Sequence, residues 1–391
     1  MRRLATERPP PNKCLVKIAF DVRKLNDFGI GTYIRNLVRH LAALTHEEEF
    51  YLISHERDQA ELGELPGNFR FLTDPTKEST LWNDLVLPYL LRKWQIQLLH
   101  TPHYREPRFL PCKSVITIHD CVHILFPNYA SSRGAYEKAK KATRRAIRNC
   151  SCIIAVSEST RRDLVRLFGV PEDKVTVVYN GIDELAVAHT TPGEEHHVLE
   201  RYQIQDPFLL YAGNIRPHKN VARLIEAFSV LKSELREDER WKSLKLMIIG
   251  DELSKHQFLR RTVVRSGVQH DVRFLGFVPY ETLRVFYKSA QIFVFPSLHE
   301  GFGLPPLEAM ANGTPVVTSN VSSLPEIVGD AALLINPENV FEISKGLRHL
   351  LYDLHLRSAL IQKGYQQVRL YSWRKAAEAI LKTYQMILSN P

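Results

Sequence analysis

The chain has 391 residues, more than one domain usually needs, so two or three domains are expected. Hydrophobic residues make up 44% and charged residues 24%, which excludes global disorder and leaves enough apolar mass for a core in each half. No apolar run reaches the ~18 residues of a spanning helix, and the net charge is +9.

Residues 1–13 carry Arg2, Arg3, Arg8 and Pro9-Pro10-Pro11 with no apolar segment behind them, so they read as a disordered tail rather than a signal peptide. Leu15 to Phe20 has strand character, and a helix is predicted from Thr32 to Leu44. Phe50 to Ile53, Gln97 to His100 and Ser114 to Ile118 are further predicted strands, the last ending at His119-Asp120. A helix over Ser132 to Asn149, a strand over Cys152 to Val156, a helix over Glu158 to Phe168 and a strand over Val175 to Val178 complete this half. The rhythm then fails around Thr190-Thr191-Pro192-Gly193, and residues 186–206 are expected to connect two domains. Glu194, Glu195, His196 and His197 would form a solvated face there, since adjacent histidines point apart on a helix. Alternation resumes with predicted strands at Phe208–Ala212, Lys245–Ile249, Val272–Gly276, Ile292–Phe295, Pro315–Thr318 and Ala332–Ile335. A last helix follows Ser372 as N-cap, with Ala376, Ala377, Ile380, Leu381 and Tyr384 at helical spacing.

Apolar runs without alternation suit strands buried on both faces of a parallel sheet. Two such arrays predict an α/β fold of two doubly wound, Rossmann-like domains, residues 14–185 and 207–370, facing across a cleft. The closing segment, residues 371–391, is expected to pack back on the first domain. Ligands of this architecture bind at the carboxyl ends of the strands. Cys14, Cys112, Cys121, Cys150 and Cys152 are scattered, without the C-x-x-C spacing of zinc or redox sites, and are expected as reduced thiols of a cytoplasmic protein.

The positive charge is local: residues 131–166 carry +7 and residues 1–17 carry +4. Such a face suits lipid headgroups, nucleic acid or a phosphorylated substrate. Nucleic acid is set aside, because stacking aromatics do not alternate with the cations. Lys138, Lys141, Arg145 and Arg148 are the candidate membrane-facing residues, with a solvated helix face as the plain alternative.

Three loops carry chemistry. Gly29-Ile30-Gly31 before the first helix lets backbone approach an anion, while Ile34 stands where a dinucleotide fingerprint needs its third glycine. Gly213 to Asn220 follows a strand and holds Arg216 and Lys219, two cations suited to a diphosphate leaving group. His299-Glu300-Gly301-Phe302-Gly303-Leu304-Pro305-Pro306-Leu307-Glu308 joins a strand to a helix. Its carboxylates Glu300 and Glu308 can accept sugar or ribose hydroxyls, and the Gly301–Leu304 amides can serve phosphate or sugar oxygens. Hydrolysis by an opposed carboxylate pair fits poorly, because both glutamates lie at one sheet edge.

Glu300 and Glu308 with these flanks resemble the E-x7-E motif of the retaining family 4 glycosyltransferases. The resemblance extends to Gly313-Thr314-Pro315-Val316-Val317-Thr318-Ser319, to Leu324-Pro325-Glu326-Ile327-Val328-Gly329-Asp330 and to Tyr211-Ala212-Gly213 with Pro217-His218-Lys219-Asn220. In the first half it rests on Asp21-Val22-Arg23, Gly29-Ile30-Gly31-Thr32-Tyr33 and Val178-Tyr179-Asn180-Gly181-Ile182-Asp183. It implies a GT-B fold with a nucleoside diphosphate sugar donor mostly on the second domain. It further implies Glu308 on the ribose, Glu300 on the transferred sugar, Lys219 on the diphosphate and His119 near the sugar. Asn214 stands where the family's arginine often lies, and Arg216 is the candidate substitute. Donor contacts would involve Gly29, Gly31, Arg216, Lys219, Glu300, Gly301, Phe302, Gly303, Leu304 and Glu308, with no metal and no cofactor.

The run from Ser319 to Glu326 resembles bacterial mannosyltransferases of polysaccharide assembly, so GDP-mannose is the expected donor and a UDP-sugar the second choice. The acceptor would be a glycan or a lipid-linked sugar, reached from the cytoplasmic face of the membrane. A nucleotide sugar epimerase and a non-catalytic basic membrane adaptor are the rival functions.

Overall fold

A computed structural model describes residues 15–27, 29–45, 47–76, 81–183, 191–251 and 256–389. The expected tail at residues 1–13, and residues 186–190 of the expected connection, lie outside them.

Strands β1 (Val16–Asp21), β2 (Glu48–Ser54), β3 (Phe69–Thr73), β4 (Leu98–Thr101), β5 (Lys113–Ile118), β6 (Cys152–Ala155) and β7 (Val175–Val177) form one sheet in the order β3-β2-β1-β4-β5-β6-β7. Strands β8 (Phe208–Ala212), β9 (Lys245–Ile249), β10 (Val272–Gly276), β11 (Ile292–Phe295), β12 (Val316–Ser319) and β13 (Leu333–Ile335) form a second, ordered β10-β9-β8-β11-β12-β13. The pairings of the second sheet are parallel throughout, as are those among β1 to β5. Each sheet starts centrally, grows to one side and then restarts on the other, as in doubly wound folds. Strand order therefore reverses between β1 and β4, and again between β8 and β11. Those are the points where a ligand crevice opens.

The chain divides into two compact units. One comprises Met1–Thr117, Arg145–Ile153 and Ile380–Pro391; the other comprises Ile118–Arg144 and Ile154–Ala379. In the first, helix Ile30–Leu44 buries Tyr33, Ile34, Leu37, Val38 and Leu41 at amphipathic spacing. Gly29 caps this helix at φ 73°, and a Cβ on Gly31 would lie 1.9 Å from the Leu25 carbonyl oxygen. Both glycines thus have a local reason in the turn itself. Behind that turn, Arg23 grips Asp21 at 2.6 Å and Asp74 at 3.0 Å. Burial would raise the Asp21 carboxyl, but Arg23 holds it well below the usual range.

The far side of this unit is tied by a buried polar chain. Tyr33 Oη meets Thr117 Oγ1 at 3.0 Å, Thr117 meets His100 Nε2 at 2.7 Å, and His100 Nδ1 meets Tyr384 Oη. Tyr384 comes from helix Trp373–Ser389, whose Ile387 carbonyl also accepts from Lys113 Nζ at 3.0 Å. The elements between β2 and β4 had no counterpart among the predicted ones: a 3-10 helix at Glu56–Leu62, β3, and a π turn at Trp82–Val86 that runs into helix Leu87–Lys93.

The second unit buries one continuous core, including Leu209, Leu210, Phe228, Leu246, Phe286, Phe293, Phe295, Val317 and Leu347. The segment expected to connect the domains contains helix Pro192–Arg201, started by a capping box in which Glu194 N donates to Thr191 Oγ1 and Thr191 N donates to Glu194 Oε2. His196 and His197 are exposed on it. Among the described cysteines, Cys112, Cys121, Cys150 and Cys152 are not joined in disulfides.

Candidate active site

The second unit brings its chemistry to the carboxyl ends of β8 and β11, one of the two crevice points. After β8 the chain passes Gly213 (φ 151°), whose N–H donates to the Ile249 carbonyl at 3.0 Å. It then makes a short turn at Pro217–Lys219 and enters helix Val221–Glu234 through Asn220. Asn220 has left-handed backbone, φ 62°, which asparagine tolerates better than most residues. Its amide donates to the Pro296 carbonyl at 3.0 Å and the Pro337 carbonyl at 2.7 Å, locking the β8 loop against the β11 loop. That lock presents Lys219 to Glu300. Lys219 Nζ lies 2.7 Å and 2.9 Å from the two Glu300 oxygens, over the Phe295 ring at 5.3 Å. The two side chains are only 14% and 11% exposed, so the pair is little screened. Arg216, two residues before His218, is exposed and outside this pair.

The turn after β11 is fixed from several sides. Glu300 N donates to Ser322 Oγ at 2.9 Å, and Ser323 Oγ donates to the carbonyls of Glu300 and Phe302. Gly301 O accepts from Ser157 Oγ at 2.6 Å and from Thr160 Oγ1 at 3.2 Å. A Cβ at Gly301 would lie 1.6 Å from the His119 carbonyl oxygen, so only glycine permits this approach. His119 is thereby placed at the same turn as Glu300. The Phe302 ring is buried edge-on to Tyr371 at 5.6 Å, which leaves its backbone for ligand contact. The amides of Gly301, Phe302 and Gly303 find no acceptor among the described residues. They precede helix Leu304–Ala311, where backbone donors and the helix dipole favour an anion.

Glu308 sits one turn into that helix. Each of its oxygens takes a tyrosine hydroxyl: Tyr287 Oη donates to Oε2 at 2.9 Å, and Tyr280 Oη to Oε1 at 3.3 Å. Burial raises the Glu308 carboxyl above its ordinary pKa, the two tyrosine bonds act in the opposite direction, and Asp183 adds a further upward push. The tyrosines are seven residues apart, two turns of helix Tyr280–Ser289, and so share one face. They did not emerge from the sequence, although a Tyr-x6-Tyr pair on a helical pattern is the signal that could have found them. A second unanticipated group is His218. Burial and the adjacent Lys219 push its pKa down to about 4, so it is neutral near pH 7. Its ring lies 5.8 Å from the Tyr129 ring and 6.1 Å from that of Phe126.

Of the residues singled out in the sequence, the structure joins Lys219 to Glu300, sets Gly301–Leu304 and His119 at the same turn, and puts Glu308 on the helix that follows. Gly29 and Gly31 belong to the first unit, where they shape the turn after β1. Lys138, Lys141 and Arg148 are exposed on helix Arg133–Asn149. Arg145 is half-buried and donates to the Glu106 carbonyl at 3.3 Å. Among the described residues, no helix is long and apolar enough to cross a membrane.

A paired lysine and carboxylate, free turn amides and a tyrosine-held glutamate at a doubly wound crevice suit a sugar joined to a diphosphate. Solved structures share the fold. WaaG, a glycosyltransferase involved in lipopolysaccharide biosynthesis, superposes with a TM-score of 0.72 at 19% identity, covering 96% of this chain and all of that one. Anabaena HepE, crystallised with UDP and glucose, gives 0.73 at 18%, covering 95% and 100%. The architecture is GT-B. Residues 29–184 match the Glycosyltransferase Family 4 model and residues 195–367 the model of glycosyl transferases group 1. The O-antigen chain mannosyltransferase B of Escherichia coli is 30% identical over 374 residues, covering 92% of this chain and 96% of that protein. The chain belongs to the family 4 glycosyltransferases.

Proposed function

We propose that this protein is a retaining mannosyltransferase that moves mannose from GDP-mannose to a glycan or lipid-linked acceptor in polysaccharide assembly. The Lys219–Glu300 pair at the free amides of the β11 turn carries the reading. The mannose assignment is supported by the name of the E. coli relative.

In this reading Glu308 accepts the ribose hydroxyls, and Glu300 accepts hydroxyls of the transferred sugar. Lys219 has three donors and can bond the diphosphate while still touching Glu300. The bond between the anomeric carbon and the diphosphate oxygen breaks, and its electrons leave with the diphosphate. Lys219, the exposed cation of Arg216 and the amides from Gly301 to Leu304 stabilise that charge where it develops. The acceptor hydroxyl oxygen bonds the anomeric carbon from the face just vacated, and its proton passes to the departing diphosphate. His119 orients a sugar hydroxyl or adds positive charge near the phosphates. Gly29 and Gly31 offer backbone to the donor from the turn after β1. Protein cations serve in place of a divalent metal, so turnover should persist in EDTA. Lys138, Lys141, Arg145 and Arg148 place the enzyme on an anionic membrane from the cytoplasmic side.

A panel of nucleotide sugars tested for protection against thermal unfolding decides the donor, since a ligand of the native state raises the midpoint. GDP-mannose should give the largest rise. A larger rise with a UDP-sugar replaces the donor, and no rise with any nucleotide sugar removes the site.

A further inference from the structure

The π turn Trp82–Val86 and helix Leu87–Lys93 are apolar on both sides. Trp82, Leu87 and Leu91 face inward, in a cluster with Ala19, Tyr51, Ile53, Leu72 and Leu99. A surface helix ordinarily sets polar residues on the opposite side. Here Leu81, Leu85 and Tyr89, four residues apart, are 71%, 64% and 64% exposed. The polar residues of the turn are occupied by the protein instead. Asn83 accepts from Arg23 Nη2 at 2.9 Å. Asp84 accepts from the Arg108 backbone N–H at 3.1 Å and pairs with its guanidinium at 3.1 Å. Phe109, next to Arg108 in the chain, is 74% exposed. Scattered exposed hydrophobics are normal, but three large side chains at successive turns of one helical stretch, with a fourth on the segment tied to it through Asp84 and Arg108, are not.

The exposed charges within this stretch of chain are of one sign. Within residues 81–110 the acids are Asp84 and Glu106; the first is held by Arg108 and the second is buried. Arg92, Lys93, Arg105 and Arg108 are all exposed. An apolar stripe with a cationic rim matches the acyl boundary and phosphates of an anionic bilayer. It does not suit a two-fold dimer, in which the same four cations would face their own copies.

We propose that the outer face of Leu81–Lys93, with Phe109, is the surface by which this protein seats on an anionic lipid bilayer, the apolar side chains entering the interface and the four cations meeting the headgroup phosphates. The inference deepens the membrane part of the proposed function and is independent of the donor. It also assigns the apolar contact to an element other than the alanine-rich basic helix Arg133–Asn149.

The test is co-sedimentation of the full chain with vesicles of phosphatidylglycerol and phosphatidylcholine, against pure phosphatidylcholine, at low salt and at high salt. Wild type should bind the anionic vesicles and retain part of that binding in high salt, because the apolar contribution is not screened. The variant L85S/Y89S/F109S should bind at least about tenfold more weakly, with an unchanged thermal midpoint and unchanged turnover on a soluble acceptor analogue. R92Q/K93Q should lose mainly the preference for anionic lipid. The proposal is overturned if wild type ignores both vesicles, or if the folded triple variant binds as wild type does. It is equally overturned if binding depends only on Lys138, Lys141, Arg145 and Arg148, or if the triple variant merely changes the oligomeric state. Nucleotide sugar protection of the same variants reports on the donor site separately, so failure of one reading leaves the other standing.

Discussion

At the scale of single residues, the proposed donor site depends on how its charges are held before a ligand arrives. Replacing Glu308 by Ala removes the acceptor for ribose hydroxyls, and the donor should bind about 1–3 kcal/mol more weakly in calorimetry. Unchanged affinity would take Glu308 out of the site. Tyr287→Phe and Tyr280→Phe should act more mildly, and with a pH signature. The Glu308 carboxyl is already raised by burial, and the tyrosine bonds restrain that rise. An ionised Glu308 is the better acceptor, so donor affinity should fall as pH drops through its pKa. Removing either hydroxyl moves that acid limb to higher pH. A pH profile identical to wild type would show that the tyrosines do not set the carboxylate. Lys219→Ala is expected to lower turnover by a factor on the order of 100 or more. It also leaves Glu300 as a mostly buried, unpaired carboxylate. The double variant K219M/E300Q should therefore be more stable than Lys219→Ala, though equally inactive. Recovery of turnover in the double variant would contradict the role given to Lys219.

At the scale of elements, the β11 turn is the part least able to change. Gly301→Ala must displace either the His119 carbonyl or the start of helix Leu304–Ala311. Turnover should fall at least about 100-fold, with a lower thermal midpoint and a disturbed His119 ring resonance in NMR. An active, equally stable variant would mean that the turn yields. The strands and loops that frame this site were legible because they are buried apolar runs ending in glycine. The carboxylates and Lys219 stood out because such residues directly follow those runs. What escaped were partners set by strand order: Tyr287 and Tyr280 lie 21 and 28 residues from Glu308, and Ser322 lies 22 from Glu300. Strand β3 escaped because Arg70 and Phe71 are exposed on an edge, so no buried run announces it. The Trp82–Lys93 segment escaped because Pro88 and a π turn break the 3.6-residue period on which helix reading rests.

At the scale of the whole molecule, the first unit is assembled from three separated stretches, and its interior is tied by a contact between His100 and Tyr384, 284 residues apart. Tyr384→Phe removes one hydrogen bond from a buried imidazole and should cost about 1 kcal/mol in denaturant unfolding. Donor protection should persist, because residues 118–144 and 154–379 are untouched; losing it as well would mean that the units unfold together. The same contact sets an order of events on the ribosome. Strands β1 to β5 leave the exit tunnel long before the helix whose Leu381, Tyr384 and Leu388 line a cavity with Val16 and Ile18. The loops of the proposed donor site can condense while the earlier sheet still waits with part of an apolar face open, a state that invites chaperone binding or aggregation. A premature stop codon near residue 380 would spare the residues of the proposed donor site and still strip the first unit of Leu381, Tyr384 and Leu388.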